Sequence, residues 1–165
     1  MSALQSIDIL LVDDNPNMRS IVLAILKSIG VTRLREAEDG ASALEALKKQ
    51  PADIVIVDFR MLPLDGVSFT RLVRTANDTP NPYLPIIMMT GHSDRKRVME
   101  ARDAGVTEFV AKPVNAQTLL ERIQSVILYP RPFIRSQDFF GPDRRRTSSR
   151  GYDGPYRRSS DASFS

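Results

Sequence analysis

Residues 54–57, Ile-Val-Ile-Val, run without a break into Asp58. A β-branched run that is apolar on both faces predicts a strand in the middle of a parallel sheet, covered by helices on each side. The carboxylate that closes it then lies at the carboxyl end of a buried strand, the edge where open α/β sheets bind ligands. The rest of the chain keeps the same rhythm. Residues 9–12 and 86–89 are further buried-strand candidates, with weaker ones at 34–37 and 109–111. Between them fall helical patterns: Met18, Ile21, Val22, Ile25 and Ile29 ahead of Gly30; Ala43, Leu44 and Leu47 between a capping Asp39 and Pro51; then 67–75, 95–104 before Gly105, and 116–128 behind Asn115. This (βα)5 alternation, joined by right-handed crossovers, predicts an α/β fold: a doubly wound five-stranded parallel sheet of flavodoxin-like type over residues 1–128. Residues 129–165 follow as an irregular C-terminal tail.

Composition excludes several functions. The chain has no cysteine and one histidine, so disulfide scaffolds and thiolate or multi-histidine metal centres are ruled out. The opening MSALQSIDIL has no basic region ahead of a long apolar one, and no uncharged run reaches membrane-spanning length, so a soluble, cytoplasmic protein is expected. Charge is uneven: residues 1–128 hold 15 Lys and Arg against 16 Asp and Glu, whereas residues 129–165 hold 8 Arg against 4 Asp. The basic character belongs to the tail, and the folded part gives no general case for binding nucleic acid.

The strand ends carry the chemistry. Asp13 and Asp14 follow the first strand, Asp58 closes the third, Thr90 closes the fourth, and Lys112 and Pro113 follow the fifth. Carboxylates ~4 Å apart repel by roughly 4 kcal/mol at an effective dielectric near 20, so such a cluster calls for a cation. An all-oxygen ligand set suits a hard ion, and an open carboxylate site that also handles phosphate points to Mg2+.

These residues resemble the receiver domain of bacterial response regulators, in register over residues 7–128: the acidic pair Asp13 and Asp14, Asp58 with MLPLDG after it, Thr90 with Gly91, and Lys112 with Pro113. The resemblance implies that Asp58 is the phosphoacceptor, taking its phosphoryl group from a histidine kinase or a histidine phosphotransfer protein. It implies that Asp14 and Asp58 bind Mg2+ directly, Asp13 mostly through water, and that the backbone carbonyl of Arg60 supplies another oxygen. Lys112 would neutralise the phosphoryl oxygens, Thr90 would read the product, and Phe109, where receivers often carry Tyr, would rotate towards the core. Pro113 would follow a cis peptide. Arg60 and His92 would line the path of the hydrolytic water and adjust phosphoryl lifetime. Catalysis would be limited to Mg-dependent self-phosphorylation and slow autodephosphorylation.

The implied output is phosphorylation-dependent binding of a downstream protein or onward phosphotransfer, by a monomer or a phosphorylation-dependent dimer. The resemblance places the switch surface on the fourth helix, with Arg95 and Lys96, the fifth strand and the fifth helix, and a docking face is expected on the first helix, where Leu23 and Leu26 lie beyond the core stripe. Rival readings fail on the residues. A haloacid-dehalogenase-like phosphatase wants a carboxylate two residues after its acceptor, where Arg60 stands; a flavodoxin proper would not place DDNPN against a flavin phosphate; and no G-x-G-x-x-G is present. The tail, dense in Pro, Gly, Ser and Arg, holds no folded reader domain. Phe133, Ile134, Phe139 and Phe140 could dock as an arm, and the Arg run at 144–146 could make the tail an effector for RNA, DNA or an anionic surface, though three arginines suit nonspecific phosphate contact at most.

Overall fold

The structure, a computed structural model, describes residues 2–135 and 139–143. Five parallel strands form one sheet: β1 (Asp8–Val12), β2 (Arg33–Ala37), β3 (Ile54–Asp58), β4 (Ile86–Thr90) and β5 (Glu108–Ala111), in the order β2-β1-β3-β4-β5. The order reverses at β1, and β1 and β3 lie side by side with Val12 opposite Val57. That reversal opens the crevice at which doubly wound sheets bind ligands.

Strand periodicity divides the core into two layers. Leu10, Val12, Val55, Val57, Ile86 and Met88 face α3 (Gly40–Lys49), α4 (Gly66–Thr75) and α5 (Val98–Ala104). Ile9, Leu11, Ile54, Ile56, Ile87 and Met89 face α1 (Ser2–Ser6), α2 (Pro16–Ser28) and α6 (Ala116–Leu128). Every residue of 54–57 is at most 1% exposed, which is why that run has no polar position until its end. Each buried aliphatic side chain contributes about 1.5–3 kcal/mol. Asn15, Asp39, Asp65 and Asn115 cap α2, α3, α4 and α6 by accepting backbone N–H bonds, each worth ~1 kcal/mol. Gly105 ends α5 at φ +116°, a conformation that suits glycine.

Three features depart from the expected pattern. The short helix α1 precedes the first strand, and its Leu4 is buried in the second core layer. The helix expected at 95–104 opens instead with a 3-10 turn, His92–Arg97, whose sequence HSDRKR offers no apolar stripe to hold an α-helical turn on the sheet. The third is in the tail, where β6 (Phe133–Arg135) and β7 (Phe140–Pro142) pair as an antiparallel hairpin.

The hairpin packs on the end of the domain away from Asp58. Phe133 and Phe140 lie edge-on to Tyr83, at 5.0 and 5.5 Å between centroids. The buried Arg74 guanidinium lies 5.0 Å from the Phe133 ring and donates to the carbonyls of Leu84 at 2.7 Å and Gly105 at 2.8 Å. Burial pulls its pKa down to about 9. Phe133 and Phe140 of the tail thus lie on the domain itself, while the Arg run at 144–146 lies outside the described residues.

Candidate functional site

Asp13 follows β1 and is 1% exposed. Its Oδ1 accepts from Asn15 N at 2.9 Å, and its carbonyl accepts from Arg19 Nη1 at 2.6 Å, which fixes the turn into α2. Asp14 is exposed, and its Oδ2 accepts from Leu62 N at 3.2 Å, tying this turn to the loop after β3. Asp58, at the end of β3, is 4% exposed. That loop folds straight back: Gly66 N donates to Phe59 O at 3.1 Å, and a Cβ on Gly66 would lie 2.4 Å from the Asp58 carbonyl oxygen. Glycine is therefore a steric requirement for starting α4 against the acceptor strand.

Oxygens of Asp13, Asp14 and Asp58 lie within 4.8 Å of one another, and Lys112 Nζ is 2.5 Å from Asp58 Oδ1. That ammonium is the partner of Asp58 Oδ1, whereas the buried Asp13 Oδ2 has no donor among the described residues. A buried carboxylate oxygen without a donor, beside a second carboxylate held by a single ammonium, is the arrangement a hard cation satisfies, and the donor set, oxygen throughout, fits Mg2+. The electrostatics agree. Burial pushes the Asp58 pKa up from 3.8 to about 6, against the pull of Lys112 and with smaller help from Asp13 and Asp14. Burial likewise raises Asp13. A cation would relieve both.

The remaining expected residues surround this centre. Thr90 closes β4 at 8% exposure, and its carbonyl accepts from Lys112 N at 2.8 Å, joining the fourth and fifth strand ends. The Lys112–Pro113 peptide is cis, and so is Leu62–Pro63 in the loop after β3. Phe109 is half-buried against the α3–α4–α5 core layer. His92, Arg95 and Lys96 are exposed on the 3-10 turn. Arg60 reaches this turn too, with Nε 2.6 Å from Asp94 Oδ1.

The first helix corresponds to α2, and its face differs from expectation. Leu26 is fully buried in the core and Leu23 is half-buried against it, whereas Ile21, expected in the core stripe, is 54% exposed. Leu26 is therefore no part of a docking surface. The core-facing stripe centres on the buried Val22 and Leu26, with Met18, Leu23, Ile25 and Ile29 partly buried beside them. Asp94 was not anticipated. It is 1% exposed, and its Oδ2 accepts from Gly91 N at 2.8 Å. An acidic residue three places after the residue that opens a helical turn is a recognisable capping signal.

Among the described residues no helix is long and apolar enough to cross a membrane. The family model of the response regulator receiver domain matches residues 9–124. Chemotaxis protein CheY of Pseudomonas aeruginosa is 37% identical over 118 residues, covering 72% of this chain and 94% of that protein. Chemotaxis protein CheY-3 of Vibrio cholerae is 35% identical over 122 residues, covering 74% and 92%. Among solved structures, the receiver domain of the sensor histidine kinase PA1611 from Pseudomonas aeruginosa, with magnesium in its active-site cleft, is 32% identical with a TM-score of 0.64, covering 72% of this chain and 94% of that one. The acidic strand-end cluster lies inside the matched span, and the chain belongs to the response regulator receiver domain family.

Proposed function

We propose that this chain is a single-domain response regulator that accepts a phosphoryl group on Asp58 and signals by binding a downstream protein or passing the group on. The observation that carries the reading is the convergence, at one sheet edge, of the buried Asp13 oxygen that lacks a donor, the buried Asp58 carboxylate and the Lys112 ammonium paired with it. In the proposed reaction an Asp58 carboxylate oxygen attacks the phosphorus of a phosphohistidine. The P–N bond breaks, the imidazole leaves and takes up a proton, and an aspartyl phosphate remains. Lys112 balances charge on the phosphoryl oxygens as they approach a carboxylate that is itself anionic. Asp13, Asp14, Asp58 and the Arg60 carbonyl would hold Mg2+, which when bound neutralises phosphoryl charge.

Thr90 donates its hydroxyl to the product, and Phe109 follows it towards the core. Arg60 and His92 adjust the lifetime of the phosphoryl group. Residues 1–128 form the phosphoryl-accepting unit, working in the cytoplasm beside a kinase or phosphotransfer protein, and residues 129–165 are an appendage to it. The output face is formed by the 3-10 turn with Arg95 and Lys96, followed by α5, β5 and α6; Leu23 lies on the kinase side. The test is mass spectrometry after incubation with acetyl phosphate and Mg2+. One added phosphoryl mass that Asp58→Asn abolishes supports the reading, and labelling that persists in that variant refutes it.

A further inference from the structure

The turn after β4 is held to the loop after β3 by contacts that use none of the acidic centre. Asp94 engages both carboxylate oxygens: Oδ2 accepts from Gly91 N at 2.8 Å, and Oδ1 meets Arg60 Nε at 2.6 Å. Arg60 Nη2 reaches Ser93 Oγ at 3.3 Å. Beside this bridge the Arg97 guanidinium lies 5.0 Å from the centroid of the Phe59 ring. Gly91 directly follows Thr90, and Phe59 and Arg60 directly follow Asp58. The Arg60–Asp94 contact therefore couples the acceptor loop to the residue that follows Thr90, and the Arg97–Phe59 contact ties the same loop to the far end of the turn.

The two ends of the bridge sit in different surroundings. The Asp94 side chain is 2% exposed, so its carboxylate oxygens depend on these protein donors, whereas the Arg60 side chain is 64% exposed and has water as an alternative. We infer that Asp94 is a positioning residue that holds the Thr90–Ser93 loop in its unphosphorylated place through Arg60, and that a phosphoryl group on Asp58 competes with Asp94 for the guanidinium. This rests on Asp58 being the acceptor. An inward move of Thr90 displaces Gly91 and with it the Asp94 oxygen, so the bridge must yield. A new anion two residues from Arg60 along the chain favours the state in which it has yielded.

The experiment compares resonances of the full chain as wild type, Arg60→Gln, Asp94→Asn and the double variant, each untreated and with beryllofluoride and Mg2+. Asn at position 94 keeps a carbonyl oxygen for the Gly91 N–H and removes the charge. In untreated protein, each single variant should move the Thr90, Gly91 and Phe109 signals along the line joining the wild type's two positions, by roughly a tenth of its length or more. The double variant should go no further than the larger single. Unmoved signals, shifts off that line, or shifts that add in the double variant would overturn the bridge. If the wild type ignores beryllofluoride, the acceptor reading has failed, and the bridge is judged on the Gly91 amide of untreated protein. Exchange faster to the same extent in all three variants upholds it; wild-type exchange overturns it.

Discussion

Replacing Asp58 with Asn should stabilise the metal-free protein at neutral pH and do little in mild acid. Burial raises the Asp58 carboxyl from 3.8 to about 6 despite the Lys112 ammonium beside it. Between those two values the folded state holds a proton that the unfolded chain has released. Stability therefore falls as pH rises through this window, and above it the ionised Asp58 costs the fold its full penalty. A shift of about two pKa units corresponds to about 3 kcal/mol. Near pH 4 most of that cost is absent, since the folded carboxyl is protonated and the unfolded one only half ionised. Asn imitates the protonated form at every pH, so the comparison between pH values cancels whatever else the substitution does. Urea unfolding of wild type and Asp58→Asn in EDTA should show the variant's advantage growing by about 2–3 kcal/mol between pH 4 and pH 8. Adding Mg2+ at pH 8 should narrow the gap, because a cation bound to the wild-type cluster stabilises only the folded state. An advantage of the same size at both pH values would show that Asp58 is not held in a desolvated site, and the electrostatic argument for the cation would go with it.

Gly66→Ala places a Cβ 2.4 Å from the Asp58 carbonyl oxygen, so we expect a loss of about 1–3 kcal/mol in urea unfolding together with slower acetyl phosphate labelling. Wild-type stability would mean the loop moves freely. Leu26→Ala, in the core, should lower stability by about 2–5 kcal/mol and slow labelling by a kinase and by acetyl phosphate in step with unfolding; a defect with the kinase alone, at wild-type Tm, would restore Leu26 to a docking face. Ending the chain after Tyr129 removes Phe133 and Phe140 from Tyr83 and uncovers Arg74, which should cost about 1–3 kcal/mol while leaving Asp58 labelling unchanged. Unchanged thermal stability of the truncated chain would show that the hairpin does not hold the domain.

Much of the site was legible because strand chemistry is local. A parallel strand covered on both faces must be apolar at every position, so the first polar residue marks where it leaves the core, and Asp13, Asp58, Thr90 and Lys112 could be assigned to one edge from the sequence. Helix α2 shows where such reasoning stops. Its stripe is wide enough that Ile21 and Leu26 are equally plausible core residues, and only the angle at which the sheet meets the helix buries one and exposes the other. The same holds for contacts across long stretches of chain. Arg60 and Asp94 are 34 residues apart, and nothing near either residue in sequence names its partner. Tyr83 joins Phe133 and Phe140 only because the chain leaving α6 returns past the loop before β4. Local periodicity determined which residues are strand, helix and strand end; the relative placement of finished elements, set by packing the whole core, decided which side chains meet.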